Sequence, residues 1–328
     1  MRIAVDAVGG DFFPENPVKG AVEAIREHSD ISVLLVGPEK IIQNELQYLD
    51  YDKSRIDILN APDIIGMEES AVSAIKSKKN SSVTVGISAH KSGECDAFVS
   101  AGNTGALLAA SMFLLGKLEG VMRPTIAVTY PTIKGVSLLV DAGANLELRP
   151  EMYLQFAKMS EIFARDIMLI NDPKIGLLNV GEEAEKGTEL LKEVYQLLGT
   201  LPNFFGNIEG KDILYGKTDI YLCDGFSGNI ILKFGESFPE VLQYLLKKTM
   251  EEKKMSAEAQ KMVFEVIQHT LNSFNYEHVG GIPFLGVNGM SLVGHGSSSV
   301  TAIKNMIFNA SQCVKNEVNN KIVASLNN

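Results

Sequence analysis

Tryptophan is absent from this 328-residue sequence, and cysteine occurs only three times. Cys95, Cys223 and Cys313 are too far apart for a zinc spacing, and an odd, scattered set makes no disulfide framework. That usage fits a reducing cytoplasm. No stretch approaches the roughly 20 apolar residues of a membrane span, and MRIAVD meets an aspartate at position 6, against the pattern of a signal peptide. Positive charge is also short: 30 Lys and Arg face 40 Asp and Glu, a formal net charge of −10. Nucleic acid is therefore not an expected partner, because its binders carry a basic face. The five histidines never recur at helical ligand spacing, and the carboxylates form no metal-loop pattern, so neither metal nor cofactor is expected.

Glycine is plentiful, with 29 residues, and it recurs where apolar runs end. The stretch 219–233, DIYLCDGFSGNIILK, reads as a buried strand, a sharp Gly-containing turn and a helix start. Ser227 or Asn229 is the expected cap of that helix, whose free N–H groups would suit an anion. The same design appears after the strand Ile3 to Val5, in Asp6-Ala-Val-Gly9-Gly10, and after Ala97 to Ser100, in Ala-Gly-Asn103-Thr104-Gly. It appears again after Val136 to Val140, in Asp141-Ala-Gly-Ala-Asn145, and before the last long helix, in Gly294-His295-Gly-Ser-Ser. Strands alternating with helices imply a parallel sheet covered by helices, and Thr125 to Val140 adds a hairpin. The expected fold class is α/β with a mixed, mostly parallel sheet, and residues 1–328 read as one continuous unit without repeats or linkers.

Some local expectations are weaker. Residues 181–187, GEEAEKG, read as the opening of a helix, where Lys186 opposes the helix dipole and so stands out as an anion ligand. Residues 203–212 read as turn-rich and 280–283 as a loop. Two helices are expected between Glu240 and Phe274, meeting near Met255-Ser256, and the tail from Asn316 is expected to fray. Lys247, Lys248, Lys253 and Lys254 form the dense basic cluster. Gly210 to Thr218 has five residues between its glycines where a phosphate-binding loop has four. Gly294 to Ser299 is a broken dinucleotide fingerprint, and Ser227 lacks the spacing of a nucleophile elbow. What remains is turns of small polar residues that donate hydrogen bonds to an anion or oxyanion.

Taken together, these stretches resemble the PlsX family, the acyl-[acyl-carrier-protein]:phosphate acyltransferases of bacterial phospholipid synthesis. The resemblance rests on MRIAVDAVGGD at 1–11, SAGNTGALLAA at 100–110, RPTIAV at 123–128, DAGAN at 141–145 and GLLNVGEEAEKG at 176–187. It continues through NFFGNIEGKDI at 203–213, CDGFSGNIILK at 223–233, GGIPFLGVNG at 280–289 and HGSSS at 295–299. It implies a three-layer α/β/α fold like that of isocitrate and isopropylmalate dehydrogenases, a homodimer, and a helical hairpin protruding around 245–270. It implies transfer of a fatty acyl group from acyl carrier protein to inorganic phosphate, giving the acyl phosphate that a glycerol-3-phosphate acyltransferase consumes. Lys186 and Asn229 are the implied catalytic residues. Asp6, Gly9, Gly10, Asn103, Thr104, Asn145, Asp224, Ser227 and His295 are the implied phosphate and substrate contacts. The location implied is cytoplasmic, with peripheral contact at the inner face of the membrane. Two other readings are a dehydrogenase of the same fold, which needs metal-binding aspartates and nicotinamide, and a non-catalytic acyl or phosphate sensor.

Overall fold

The computed structural model describes residues 1–272 and 280–327. The chain runs β1 (Arg2–Asp6), α1 (Glu15–Glu27), β2 (Ser32–Gly37), α2 (Glu39–Leu46), β3 (Ile56–Asn60), α3 (Ala71–Ser77), α4 (Ser82–Ser92), β4 (Ala97–Ser100) and α5 (Thr104–Leu114). It continues through β5 (Thr125–Thr132), β6 (Gly135–Val140), α6 (Pro150–Asp166), β7 (Ile175–Leu178), α7 (Glu189–Leu198), β8 (Phe204–Ile208), β9 (Ile220–Leu222), α8 (Gly225–Glu252) and α9 (Ala257–Asn272). The last elements are β10 (Ile282–Leu285), β11 (Ser291–Val293), α10 (Val300–Lys315) and α11 (Val318–Leu326). Two compact units result: residues 1–128, 158–172 and 280–327, and residues 129–157 and 173–272.

In the first unit the strand order is β3-β2-β1-β4-β11-β10, and β10 then pairs with the start of β5. The pairings from β3 to β11 are parallel, and β10 is antiparallel to both its neighbours. Successive strands leave β1 toward β2 on one side and β4 lies on the other, so the order reverses at β1. Open α/β sheets present their ligand crevice at such a reversal, outside the carboxyl ends of the strands. Strands β1, β2 and β4 are buried on both faces and read as near-continuous apolar runs, as parallel strands under helices must. Helix α1 buries Val18, Ala21, Val22 and Ile25 at helical spacing. Its Gly20 admits the side chain of Ile303 on α10 so closely that a Cβ there would lie 2.6 Å from it. Each such large apolar side chain contributes about 1.5–3 kcal/mol when removed from water.

In the second unit the order from β6 outward is β6-β9-β7-β8, and every pairing among these four is parallel. The expected α/β class with a mixed, mostly parallel sheet is what the two units contain.

Several local expectations are corrected. Residues 203–212 contain β8: Gly206, at φ +119°, takes up a register shift against β7, and that bulge breaks the apolar alternation a strand would show. Residues 280–283 begin β10, with Pro283 where the strand changes partner. Ile282 and Pro283 pair with β11, and Phe284 and Leu285 pair with β5. The tail from Asn316 is not frayed, because it forms α11, which packs on α10 with its Val318 and Ile322 fully buried. Helix α8 is a single helix of 28 residues that passes through Pro239, and it turns at 253–256 into α9. The expected end of the second hairpin helix, Phe274, lies outside the described residues. No helix among the described residues is long and apolar enough to cross a membrane.

Candidate functional site

Three parallel strands of the first unit, β1, β4 and β11, deliver their carboxyl ends to one edge of its sheet. Asp6 ends β1 with its side chain buried. Its Oδ2 accepts the Ser100 hydroxyl at 2.6 Å, and its Oδ1 accepts the Val8 N–H at 3.2 Å. Ser100 Oγ in turn accepts the Gly102 N–H at 3.0 Å, so a single carboxylate fixes the turns after both strands. Burial raises the Asp6 pKa above the usual carboxylate range, and its hydrogen bonds with Ser100, Ser82 and Val8 oppose that rise. A Cβ on Gly9 would lie 2.5 Å from Asp6 Oδ2 and 2.9 Å from the Gly102 nitrogen, so only glycine fits there. Gly10, at φ +93°, brings the chain back against the third turn, where the Asp11 N–H donates to the Gly296 carbonyl at 2.8 Å.

Asn103 caps α5: its Oδ1 accepts the Ala106 N–H at 2.9 Å, and Thr104 is the first helical residue. Its amide nitrogen donates to the carbonyls of Gly66, Met67 and Glu69, all within 3.2 Å. The side chain is thus occupied by backbone, and what the turn offers a ligand is main-chain N–H. His295 is half-buried at the end of β11. Asp6, Gly9, Gly10, Asn103, Thr104 and His295 therefore share one sheet edge.

In the second unit β6, β9 and β7 run parallel and likewise end together. Asp141 is buried; its Oδ1 accepts the N–H groups of Gly143 (2.9 Å) and Ala144 (2.8 Å), and its Oδ2 accepts the Asn145 amide at 2.6 Å. Burial again raises its pKa, against the pull of those donors. The Asn145 carbonyl accepts the Gly225 N–H at 2.8 Å, which ties this turn to the start of α8. The cap of α8 is Asp224 rather than Ser227 or Asn229. Asp224 Oδ1 accepts the Ser227 N–H at 2.8 Å, and the Ser227 hydroxyl donates to Oδ2 at 2.9 Å. The Phe226 N–H has no partner among the described residues. Asn229, one turn into α8, is exposed and lies about 3.6 Å from where a Gly143 Cβ would stand. Asn145, Asp224, Ser227 and Asn229 thus form one cluster.

Lys186 does not sit at a helix start. Helix α7 begins at Glu189 with Thr188 as its cap, and 180–187 is an irregular loop. Asn179 and Asn207, both buried, hold that loop. Asn179 Nδ2 donates to the Lys186 carbonyl at 3.1 Å, and Asn207 Nδ2 donates to the Glu183 carbonyl at 2.8 Å. Gly187, at φ +89°, packs so tightly on Asn179 that a Cβ would lie 2.4 Å from its Oδ1. The lysine is exposed, and its ammonium has no hydrogen-bond or ion-pair partner among the described residues. Asn179, Asn207 and Asp141 carry the framework, and sequence reasoning gave them no site role. Asp141 carried the signal of a polar residue closing an apolar run, whereas Asn179 and Asn207 are each followed by an apolar residue, Val180 and Ile208, and so carried none.

Cys223, beside this cluster, is fully buried and its thiol faces the Asp141 carbonyl at 3.5 Å. Burial pushes its pKa well up, opposite to what a nucleophile needs. The fold also gathers Glu182, Glu209 and Asp212, with ligand atoms within 4.8 Å of one another, a cluster with no counterpart in sequence spacing. Lys217 already bridges it, 2.8 Å from Glu182 and 3.1 Å from Asp212, and Lys211 pairs with Glu209.

A family model described as "Fatty acid synthesis protein" matches residues 1–321. A phosphate acyltransferase of Salinibacter ruber is 46% identical over 313 residues, covering 94% of this chain and 93% of its own. One from Halothermothrix orenii is 40% identical, covering 100% and 99% respectively. Among solved structures, a phosphotransacetylase from Streptococcus pyogenes superposes with a TM-score of 0.63 at 18% identity, over 96% of this chain and 94% of its own. The EutD phosphotransacetylase of Staphylococcus aureus gives 0.62 at 14% identity with the same coverages. At those identities the likeness is one of fold. The match along almost the whole length, at up to 46% identity, makes this chain a member of the fatty acid synthesis protein family, to which the phosphate acyltransferases belong.

Proposed function

We propose that this acyltransferase moves a fatty acyl group from acyl carrier protein to inorganic phosphate, with the whole chain acting as one phosphate acyltransferase domain. The observation that carries the reading is the chemistry of the second unit's sheet edge. It offers amides, main-chain N–H groups and Lys186, whose ammonium has no partner among the described residues, and its thiol, Cys223, is buried with its pKa pushed well up. Phosphate is then the nucleophile. A phosphate oxygen attacks the thioester carbonyl carbon, the C–S bond breaks, and the proton of hydrogen phosphate passes to the departing thiolate. Acyl phosphate and free thiol result.

Lys186 attracts phosphate and offsets charge developing during attack, and Asn229 orients phosphate or the carbonyl oxygen. The Phe226 N–H, at the start of α8, adds a main-chain donor. Asp6, Asp141 and Asp224 act by holding donors in place, since each carboxylate is already accepting hydrogen bonds. Proximity and a preformed oxyanion environment suffice, because the thiolate is a good leaving group.

Helix α8 supports the homodimer. Phe226, Ile230, Phe234, Phe238, Val241 and Leu245 recur every three or four residues and are all exposed, an apolar stripe of the kind that marks a protein interface. The lysines at 247, 248, 253 and 254 near the hairpin turn suit an acidic carrier protein or an anionic membrane surface. The acyl phosphate would then pass to a glycerol-3-phosphate acyltransferase.

The test is acyl phosphate formation from palmitoyl-carrier protein, with and without inorganic phosphate, in wild type and Lys186→Ala. Phosphate-dependent product that falls sharply in the variant is the expected result. No product under any condition would leave the sensor reading, and full activity in the variant would remove Lys186 from the site.

A further inference from the structure

The side-chain stem of Lys186 fills the space that residue 181 leaves by being glycine. A Cβ on Gly181 would lie 2.9 Å from Lys186 Cγ and 3.3 Å from its Cδ, with Glu183 Oε2 at 3.0 Å. Gly181 itself is buried, so the methylenes lie along covered surface while the ammonium reaches water. The backbone around that seat is tied down. The Lys186 N–H closes a tight turn onto the Glu183 carbonyl at 3.1 Å, and the same carbonyl accepts the Asn207 amide at 2.8 Å. Asn179 donates to the Lys186 carbonyl at 3.1 Å, and its Oδ1 accepts the Val180 N–H at 2.8 Å, next to Gly181. On the other side of Gly181, Lys217 Nζ donates to Glu182 Oε1 at 2.8 Å. Among the described residues the Lys186 ammonium has no hydrogen-bond or ion-pair partner. The stem is thus seated by packing and the head is left for an anion.

We propose that Gly181 is the positioning residue for Lys186: by lacking a side chain it seats the lysine stem, so that the ammonium meets inorganic phosphate already ordered. This rests on the acyl-transfer reading above. Freezing a long flexible side chain on binding costs affinity, and a side chain already held in its bound conformation avoids that cost. Gly181 touches no substrate and acts only through the lysine. If the seat is lost, the ordering cost falls equally on bound phosphate and on the transition state, so KM for phosphate rises and kcat does not fall. Gly181 has no positive φ, and the three atoms nearest its missing Cβ all belong to side chains that can swing away. A methyl group there therefore displaces the lysine and leaves the loop in place.

The experiment has two arms on the full-length chain. In the first, carbon-13 relaxation of the Lys186 ε-methylene, identified by its loss in Lys186→Arg, reports the order of the stem in the wild-type protein without substrate. A stem more ordered than that of Lys40, an exposed lysine of α2, is expected. A stem as mobile as that of Lys40 would overturn the proposal whatever the enzyme does. In the second, Gly181→Ala raises KM for phosphate about tenfold, as the freezing of one lysine requires, with kcat within about twofold. The rise persists in a Glu183→Ala background, which removes the other side chain the new methyl would meet, and it vanishes in a Lys186→Ala background. An unchanged KM, a rise that disappears with Glu183, or a rise that survives without Lys186 would each overturn the proposal. Wild type with an ordered stem but no acyl phosphate formation would instead remove the acyl-transfer reading, and with it the phosphate role of the seated lysine.

Discussion

Asp6 in the first unit and Asp141 in the second each close a strand with a buried carboxylate that accepts N–H groups from a glycine-bearing turn. The groups that complete them differ. Asp6 takes the hydroxyl of Ser100 from the neighbouring strand, whereas Asp141 takes the amide of Asn145 from its own turn. The first arrangement locks two strand ends together. The second locks one turn, whose carbonyl then anchors the start of α8. The helices beyond diverge further: α1 and α10 bury their apolar faces in the first unit, and α8 leaves an apolar stripe exposed. One backbone solution to closing a strand with a buried carboxylate can therefore be joined to two different outer surfaces, one buried and one exposed.

The sharpest way to break this comparison is to crowd each turn with one methyl group. A Cβ at Gly228 would lie 1.9 Å from the Asp141 carbonyl oxygen, so α8 would have to move off the turn. Gly228→Ala should cost about 3 kcal/mol or more in urea unfolding, and abolish acyl transfer. A Cβ at Gly102 would lie 3.1 Å from Ser100 Oγ and 3.3 Å from Asp6 Oδ2 and Gly9 Cα, a far milder crowding that a small shift relieves, so Gly102→Ala should cost nearer ~1 kcal/mol. Equal losses would mean that the two turns are equally rigid.

The outer surfaces are tested by charge. Phe234→Glu combined with Phe238→Glu should convert a dimer to a monomer in sedimentation. Phe113→Glu, at an equally exposed phenylalanine of α5, should leave the mass unchanged. A double variant that sediments with wild type would exclude α8 as the interface.

The two carboxylates also make a prediction about pH. Each has a folded pKa raised above the unfolded value of about 3.9. Between those values the native state holds more protons than the unfolded chain, so stability falls as pH rises through that window and levels off above it. Asp6→Asn and Asp141→Asn should each flatten that slope in melts from pH 4 upward. A variant curve parallel to wild type would show that the carboxylate keeps an ordinary pKa. The smallest effect is expected at Ser227→Ala, where loss of the hydroxyl bond to Asp224 should cost about 1 kcal/mol and leave the helix in place.

Much of the candidate site's framework was legible because its parts are local. A polar residue closing an apolar run, followed by glycine, marks a strand end, and Asp6, Asp141 and Asp224 all carry that pattern. The loop holding Lys186 was misread as a helix because its acidic residues suit a helix start. What keeps it irregular is a pair of buried amides, Asn179 and Asn207, on neighbouring strands 28 residues apart in sequence. Ser227 and Asn229 looked like caps, yet Asp224 took that role because its carboxylate reaches the Ser227 N–H directly. The buried tail helix and the strand through Pro283 escaped notice for a similar reason. Val318 and Ile322 have a partner only once α10 is in place, and Pro283 is tolerated only where β10 changes neighbours.

By itself the sequence determined the alternation of strands and helices, the family, and the residue types at each strand end. Those follow from periodicity and from backbone demands felt over a few residues. Only the tertiary structure decided which carboxylates were spent on holding turns, that Asn103 was occupied by the 66–69 segment, and that α8 kept an apolar face exposed. Each of these depends on what lies across from a residue, and pairing between distant strands and helices sets that, not the order of the chain.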